Sequence, residues 1–464
     1  MDVPRIIEHR RGQRLILLLL GLVILRGLIY GLVIPFDRAP DEKHHLKLIK
    51  AKQLQLANRL DQDEALVAAR LEAAWLKLFR PESDPEDWSL EKFMGARLPD
   101  PPASYQLYYW LTAWMLRVFA LDDMRAEVYG LRAFSLLCGT LVVLLSWLAV
   151  RELFPHDRFM LLGVPLLIIF IPQFSAMNGS INNDKLAEVF VTLVFWLMIR
   201  IFKHGATPLT VACYVVVVGC AILSKRTSFF LLPLSVVFGF VYFWTSALGV
   251  KMHLILGGLF FMGFVGGYGV ISASETLRQF LGEHVIWISL TDVRHFLLHE
   301  AYSTAMLKLY AKFFIVVYWS FWGVFGYMTI HLHHFWYMLA AVFQLLAIGG
   351  LAKQIVQVKR GKVTVPRVLS KTLYLFAVSI IFAVTIMFLR SIVFRPESPV
   401  LTQGRYLFTV ILPISFLTIW GLRHLVPPHY LRIVAAAGLA GLILLDSVCL
   451  SNYLLLNFHF RSLF

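Results

Sequence analysis

Leu15-Ile16-Leu17-Leu18-Leu19-Leu20-Gly21-Leu22-Val23-Ile24-Leu25-Arg26-Gly27-Leu28-Ile29-Tyr30-Gly31-Leu32-Val33-Ile34-Pro35, followed at once by Phe36-Asp37-Arg38-Ala39-Pro40-Asp41-Glu42-Lys43-His44-His45, is the stretch that decides the fold. Its first part has the length of about 20 apolar residues that carries a helix across a bilayer. Arg5, Arg10, Arg11 and Arg14 precede it. Basic residues collect on the cytoplasmic side of a span, so the N-terminus is expected inside. No small-residue cleavage site follows, so residues 15–35 read as a first transmembrane helix and not as a signal peptide. The second part is abruptly polar, and it opens an expected external acidic loop over residues 36–129.

The rest of the chain repeats the first part's chemistry. Of 464 residues, 59% are hydrophobic and 15% charged, and the mean hydropathy is +0.71, which excludes a water-soluble globule. Apolar runs at 130–150, 159–176, 185–202, 207–224, 227–248, 253–272, 335–352, 372–389, 406–422 and 430–450 bring the expected spans to 11. Two further runs, Tyr105 to Leu121, interrupted by Arg117, and Phe313 to Ile330, rich in Trp, Phe and Gly, would make 13 if both cross. The whole of 1–464 reads as one all-α polytopic membrane domain. Its spans lie at 15–35, 130–272 and 335–450, and an external loop at 273–334 carries an interfacial or re-entrant helix.

The formal charge is +15, from 43 basic and 28 acidic residues. In a soluble chain that excess points to nucleic acid; here the basic residues adjoin apolar runs, so the partner is the lipid bilayer and not nucleic acid. The loop carrying Lys353, Lys359, Arg360, Lys362, Arg367 and Lys371 holds no acid and is expected in the cytoplasm. With 11 spans, Arg151, Arg158, Arg200, Lys203 and Lys251 fall inside, against Lys185, Lys225 and Arg226 outside, which favours 11 over 13. Cys138, Cys213, Cys220 and Cys449 sit in apolar runs without metal-ligand spacing and read as small core residues. No internal repeat of the transporter kind is present.

Acid is distributed quite differently from base. Residues 36–125 hold 15 of the 28 acidic residues, and Val67, Leu71, Trp75 and Leu78 at helical spacing predict a helix on the membrane face there. Asp41-Glu42, stiffened by Pro35 and Pro40, places two carboxylates at the mouth of the bundle, where they could act as a general base or bind a cation. The same pair suits the first turn of a helix, and the two readings are compatible. A second acidic point is Asp184, in the turn Asn178-Gly179-Ser180-Ile181-Asn182-Asn183-Asp184-Lys185. Its glycosylation sequon lies too near the bilayer to be a good acceptor. Lys225-Arg226 forms a tight external turn, and Gln403-Gly404-Arg405-Tyr406 opens a span on the same side. Those cations suit a lipid phosphate, although each alone could snorkel to headgroups. Arg26 lies mid-span at a cost of about 2.5–3.5 kcal/mol, and Asp446 is a candidate partner. His333-His334 with Trp319, Phe321 and Trp322 reads as an interfacial belt.

In this order the motifs resemble the GT-C membrane glycosyltransferases, which include protein O-mannosyltransferases, aminoarabinose transferases and oligosaccharyltransferases. Asp41-Glu42 after the first span resembles their acidic motif. Pro101-Pro102 before Tyr105-Gln106-Leu107-Tyr108-Tyr109 is similar to their interfacial helix. Leu131-Arg132-Ala133-Phe134-Ser135 with Val150-Arg151-Glu152-Leu153-Phe154-Pro155 resembles their second span. Asn183-Asp184-Lys185-Leu186 resembles the second acidic loop, and Leu223-Ser224-Lys225-Arg226-Thr227 the lysine turn. Gln403-Gly404-Arg405-Tyr406-Leu407 is similar to a bacterial branch.

The resemblance implies a polyprenyl-phosphate-linked sugar as donor and a hydroxyl acceptor on the non-cytoplasmic face of a bacterial cytoplasmic membrane. It implies inversion by single displacement. Asp41 is then the base, Glu42 or Asp184 orients the acceptor or holds a metal, and Lys225, Arg226, Arg405, Tyr406 and His44 bind substrate. A divalent metal, if present, would sit on Asp41 and Asp184. No sequon-recognition motif and no large soluble C-terminal domain accompany these features, which argues against oligosaccharide transfer to asparagine. The competing readings are a transporter or flippase for a lipid-linked or anionic substrate, and a non-catalytic subunit of a membrane complex.

Overall fold

The computed structural model describes residues 3–58, 60–79, 97–99, 107–119, 123–244, 294–393 and 403–460. In chain order the helices are α1 Val3–Val33, α2 Glu42–Leu56, α3 Leu60–Phe79, α4 Leu107–Phe119, α5 Met124–Leu153, α6 Arg158–Phe170, α7 Pro172–Asn178, α8 Asp184–His204, α9 Pro208–Ser224 and α10 Leu231–Trp244, then α11 Thr304–Trp322, α12 His334–Lys359, α13 Arg367–Phe388, α14 Ile411–Leu425 and α15 Leu431–Val448. Short non-α helical segments extend several of them, notably the seven residues Gly404–Val410 ahead of α14. Among the described residues one short two-stranded hairpin, Val324–Phe325 with Ile330–His331, interrupts the helices.

The protein is an all-α polytopic membrane protein. Among the described residues eight helices are long and apolar enough to cross a bilayer, and nine if the bent pair α6–α7 is one span. That pair breaks at Pro172, which has no N–H to continue the ladder, and it bends by 69°. α8 is long enough to cross but carries Asp184, Lys185, Glu188, Arg200 and Lys203. Lys185 and Glu188 pair at 2.8 Å with both side chains buried, and the Lys185 ammonium lies 4.1 Å from the Phe174 ring. α9 is a shorter apolar helix of 17 residues. The run 253–272 and the Pro101-Pro102 pair lie outside the described residues.

The two ambiguous runs now have shapes. The described part of α4 has 13 residues, about 20 Å of helix, against the roughly 30 Å of a bilayer core. It buries Tyr108, Tyr109, Thr112 and Ala113 in the protein while exposing Trp110, Trp114 and Val118. α11 has the length and composition of a span, yet it touches helix ends. Tyr310 and Phe313 lie on Phe388 at the end of α13. Ser320 Oγ accepts from Gly404 N at 2.7 Å, and Val324 N, just beyond, donates to Gln173 Oε1 at 3.0 Å. α3 covers the segment predicted helical from Val67 and Leu71.

Packing in the core is by close backbone approach. A Cβ on Gly350 of α12 would meet Gly421 O of α14 at 1.8 Å, so those helices cross where neither has a side chain. The mid-span arginine has the partner its cost demanded. Arg26 binds both oxygens of Asp446, and its Nε and Nη2 reach Ile169 O at 3.0 Å and Ser175 Oγ at 3.1 Å. Tyr30 adds a hydroxyl to Asp446 at 2.6 Å. These bonds tie α15 to α1.

The bundle has two chemically distinct ends. At one, Glu152 receives Arg200 at 3.0 Å and Lys203 at 3.2 Å, Asp157 receives Arg423 at 2.7 Å, and Lys353 donates to Leu425 O. The ends of α1, α9 and α13 and the starts of α5, α8 and the Gly404–Leu425 segment lie at the other, with Asp41.

Candidate functional site

Two consecutive turns present Asp41. Asp37 has φ 61° and Asp41 φ 64°, left-handed conformations that short polar side chains tolerate best. Arg38 N donates to Pro35 O at 3.1 Å, and His45 N donates to Asp41 O at 2.8 Å to open α2. Asp41 thus occupies the N-cap position, where an aspartate normally accepts from the first turn. Its carboxylate makes no cap bond. Instead Oδ2 accepts from Arg405 Nη2 at 2.6 Å, and Arg405 Nη1 also reaches Pro40 O at 3.4 Å. The Arg405 side chain is 2% exposed and that of Asp41 51%, so the pair has one buried and one open partner. Burial raises the Asp41 pKa, but Arg405, with help from Lys225, outweighs it and holds the carboxyl below its usual range.

Glu42, one residue on, is the opposite case. Arg132 grips it through Nε at 2.8 Å and Nη2 at 2.9 Å. Asp37 N donates to it at 2.9 Å and Ile181 N at 3.0 Å. Four donors fill about four lone-pair sites, and the residue is fully buried. Arg132 also donates to Gly31 O and Ile34 O. Glu42 and Arg132 therefore clamp the Asp41 loop to α1, α5 and the Asp184 turn.

Asp184 is buried at the start of α8 and ion-pairs with Lys225. Lys225 Nζ also donates to Asn183 Oδ1 at 3.0 Å. Asn183 Nδ2 reaches Tyr109 Oη at 3.4 Å, and that hydroxyl lies 2.9 Å from His45 Nδ1. His45, buried four residues beyond Asp41, has its pKa pushed down to about 3, first by burial and then by Lys225. His44 is exposed, with its ring 6.3 Å from that of His45. The Asp41 helix thus turns His45 toward the site; i to i+4 spacing from Asp41 was the signal for it.

The Tyr406 ring collects the cations. Lys225 Nζ lies 4.8 Å, Arg405 Cζ 5.2 Å and Arg390 Cζ 5.9 Å from its centroid. Arg390, exposed at the end of α13, has no carboxylate in ion-pair range among the described residues. Sequence reasoning missed it because it ends a span like any snorkelling arginine. Arg226 is half-buried beside Lys225. Thr227 and Ser228 in the same turn bury hydroxyl oxygens without a hydrogen-bond partner, and Arg405 Nε is likewise left over. Buried polar atoms left over in one place suit a polar ligand.

The chemistry available here is a carboxylate, Asp41, open to an acceptor, next to an anion site of Lys225, Arg390 and Arg405. Gly404 serves packing: a Cβ there would meet Val317 O of α11 at 2.1 Å. Asn178 of the sequon is buried. The donor set does not fit a divalent metal, because Asp41 and Asp184 each already face a cation and no three His, Cys, Asp or Glu side chains among the described residues form a ligand group. Over the site, Tyr327 at the hairpin tip donates to Asp37 Oδ1 at 2.5 Å.

Residues 105–267 match the model of the dolichyl-phosphate-mannose-protein mannosyltransferase family, which bears out the resemblance to the GT-C superfamily. The matched stretch includes Arg132, Asp184 and Lys225 and stops short of Asp41, Arg390 and Arg405. No curated protein matches the chain.

Proposed function

We propose that this protein is a GT-C-type membrane glycosyltransferase that moves one sugar from a polyprenyl-phosphate carrier to a hydroxyl acceptor on the non-cytoplasmic face, inverting the anomeric centre. The observation that carries this reading is an N-cap aspartate that does not cap: Asp41 turns to a buried arginine, beside three cations grouped on Tyr406. The acceptor oxygen bonds to the anomeric carbon as that carbon's bond to the phosphate oxygen breaks. The bond's electron pair leaves with polyprenyl phosphate, and the acceptor's proton passes to Asp41. A phosphate monoester has its second pKa near 6, so the leaving group needs cations more than an acid, and Lys225, Arg390 and Arg405 supply them.

Donor binding also primes the base. A phosphate that shares Arg405 weakens its hold on Asp41 and makes the carboxylate more basic. Asp184 keeps Lys225 in place and helps orient the acceptor, while Glu42 with Arg132 positions the loop. Arg226 and His44, at the rim, meet the carrier's headgroup region. In this reading the bundle has about 11 spans, with α4 and α11 interfacial, the N-terminus in the cytoplasm and the Asp41 end outside.

Proteoliposomes supplied with a panel of polyprenyl-phosphate sugars test the reading. Release of polyprenyl phosphate with formation of a glycosylated acceptor is expected for one of them. Movement of intact carrier across the bilayer without cleavage would overturn it in favour of a flippase. Cysteines placed at 155 and 225 should label from opposite sides; labelling from one side contradicts the topology.

A further inference from the structure

A cavity of about 1280 Å³ lies at the Arg423 end, opposite the end that holds Asp41 and Asp184, between α6, α12, α14 and α15. Its origin is mechanical. Arg26 and Tyr30 pin α15 at Asp446, while the earlier run Ala435-Ala436-Ala437-Gly438 is too small to fill the space toward α6. A Cβ on Gly438 would meet nothing within 4 Å. The walls are apolar, from Leu162 and Leu166 of α6, Phe343 and Leu346 of α12, and Leu439 and Leu442 of α15.

The mouth of the cavity is basic. Arg158, Arg423 and Arg432 line it with one carboxylate, Asp157. Asp157 is already committed, to Arg423 at 2.7 Å and to Met160 N at 3.2 Å as cap of α6. Arg158 and Arg432 are exposed and have no carboxylate in ion-pair range among the described residues. A groove that is cationic at the membrane surface and apolar along its depth matches a ligand with a phosphate at one end and hydrocarbon beyond. We propose that this groove binds an anionic phospholipid of the surrounding bilayer, its phosphate between Arg158 and Arg432 and an acyl chain along α15.

The test is native mass spectrometry of the full-length protein released from nanodiscs of phosphatidylcholine mixed with phosphatidylglycerol. The wild type should retain phosphatidylglycerol in preference. Arg158→Gln with Arg432→Gln should lower that preference roughly fivefold for each arginine. Gly438→Trp should exclude both lipids, while Gly438→Ala should retain them, which separates a filled groove from a disturbed helix. Equal retention of the two lipids by the wild type, or unchanged retention in the double arginine variant, would overturn the proposal. So would loss of the retained phosphatidylglycerol on addition of inorganic phosphate alone.

Discussion

Arg26–Asp446 and Arg405–Asp41 are the same chemical pair in two settings. In the first, both partners are about 6% exposed, the contact is bidentate, and Tyr30, Ser175 and Ile169 complete it. In the second, the arginine is equally buried but the aspartate is half open and receives one bond. A closed pair has nothing left to offer a ligand, so it can only hold helices together. An open pair can exchange its partner, which is what a reacting site requires. Asp41 and Glu42 repeat the contrast one residue apart, Glu42 having every oxygen lone pair used.

The largest effect expected from breaking this comparison is on stability. Asp446→Ala leaves Arg26 charged and unpaired inside the bundle, which costs about 3–5 kcal/mol. Asp41→Ala should cost less, because water can take the place of its half-exposed carboxylate and Asp184 still acts on the buried Arg405. Unfolding of the two variants in detergent, followed by tryptophan fluorescence, checks the gap; equal losses would erase the distinction. Glu42→Gln should behave like Asp446→Ala in direction, since it removes charge from a filled network.

Next come the cations. Lys225→Ala and Arg390→Gln should raise the apparent KM for the lipid-linked donor about tenfold and lower kcat as well, because the same cations hold the bound phosphate and meet the charge that grows on it as the bond breaks. A fall in kcat alone would assign them another role. Just below pH 6.5 the effect of pH on stability is smaller still, and it grows toward pH 3. His45 is neutral when folded because burial depresses its pKa, while in the unfolded chain it binds a proton below its ordinary value of 6.5. Its contribution is therefore present above pH 6.5 and is lost as pH falls from 6.5 toward 3, by at most about 1.4 kcal/mol per pH unit. His45→Gln should flatten the acid side of the stability profile, and an unchanged profile would mean that His45 does not titrate between the two states.

Much of this was legible in the sequence where cost forces an answer. Arg26 in a span demands an acid, and Asp446 was the candidate that the fold supplied. Asp41, Asp184, Lys225 and Arg405 stood at ends of apolar runs, so the topology alone brought them to one end of the bundle. What stayed hidden depends on pairing between distant segments. Glu42 looks like Asp41 until Arg132, 90 residues away, takes its oxygens. His44 and His45 are indistinguishable in sequence until α2 fixes which faces inward. Arg390 acquires meaning only from the Tyr406 ring.

The most direct test is paired measurement of donor binding and sugar transfer in Asp41→Asn, once a reactive donor is in hand. The open-pair reading predicts donor affinity within a few-fold of wild type and transfer reduced by about 10²–10⁴, the range for a lost general base. Transfer at the wild-type rate would contradict it and move the base to another group.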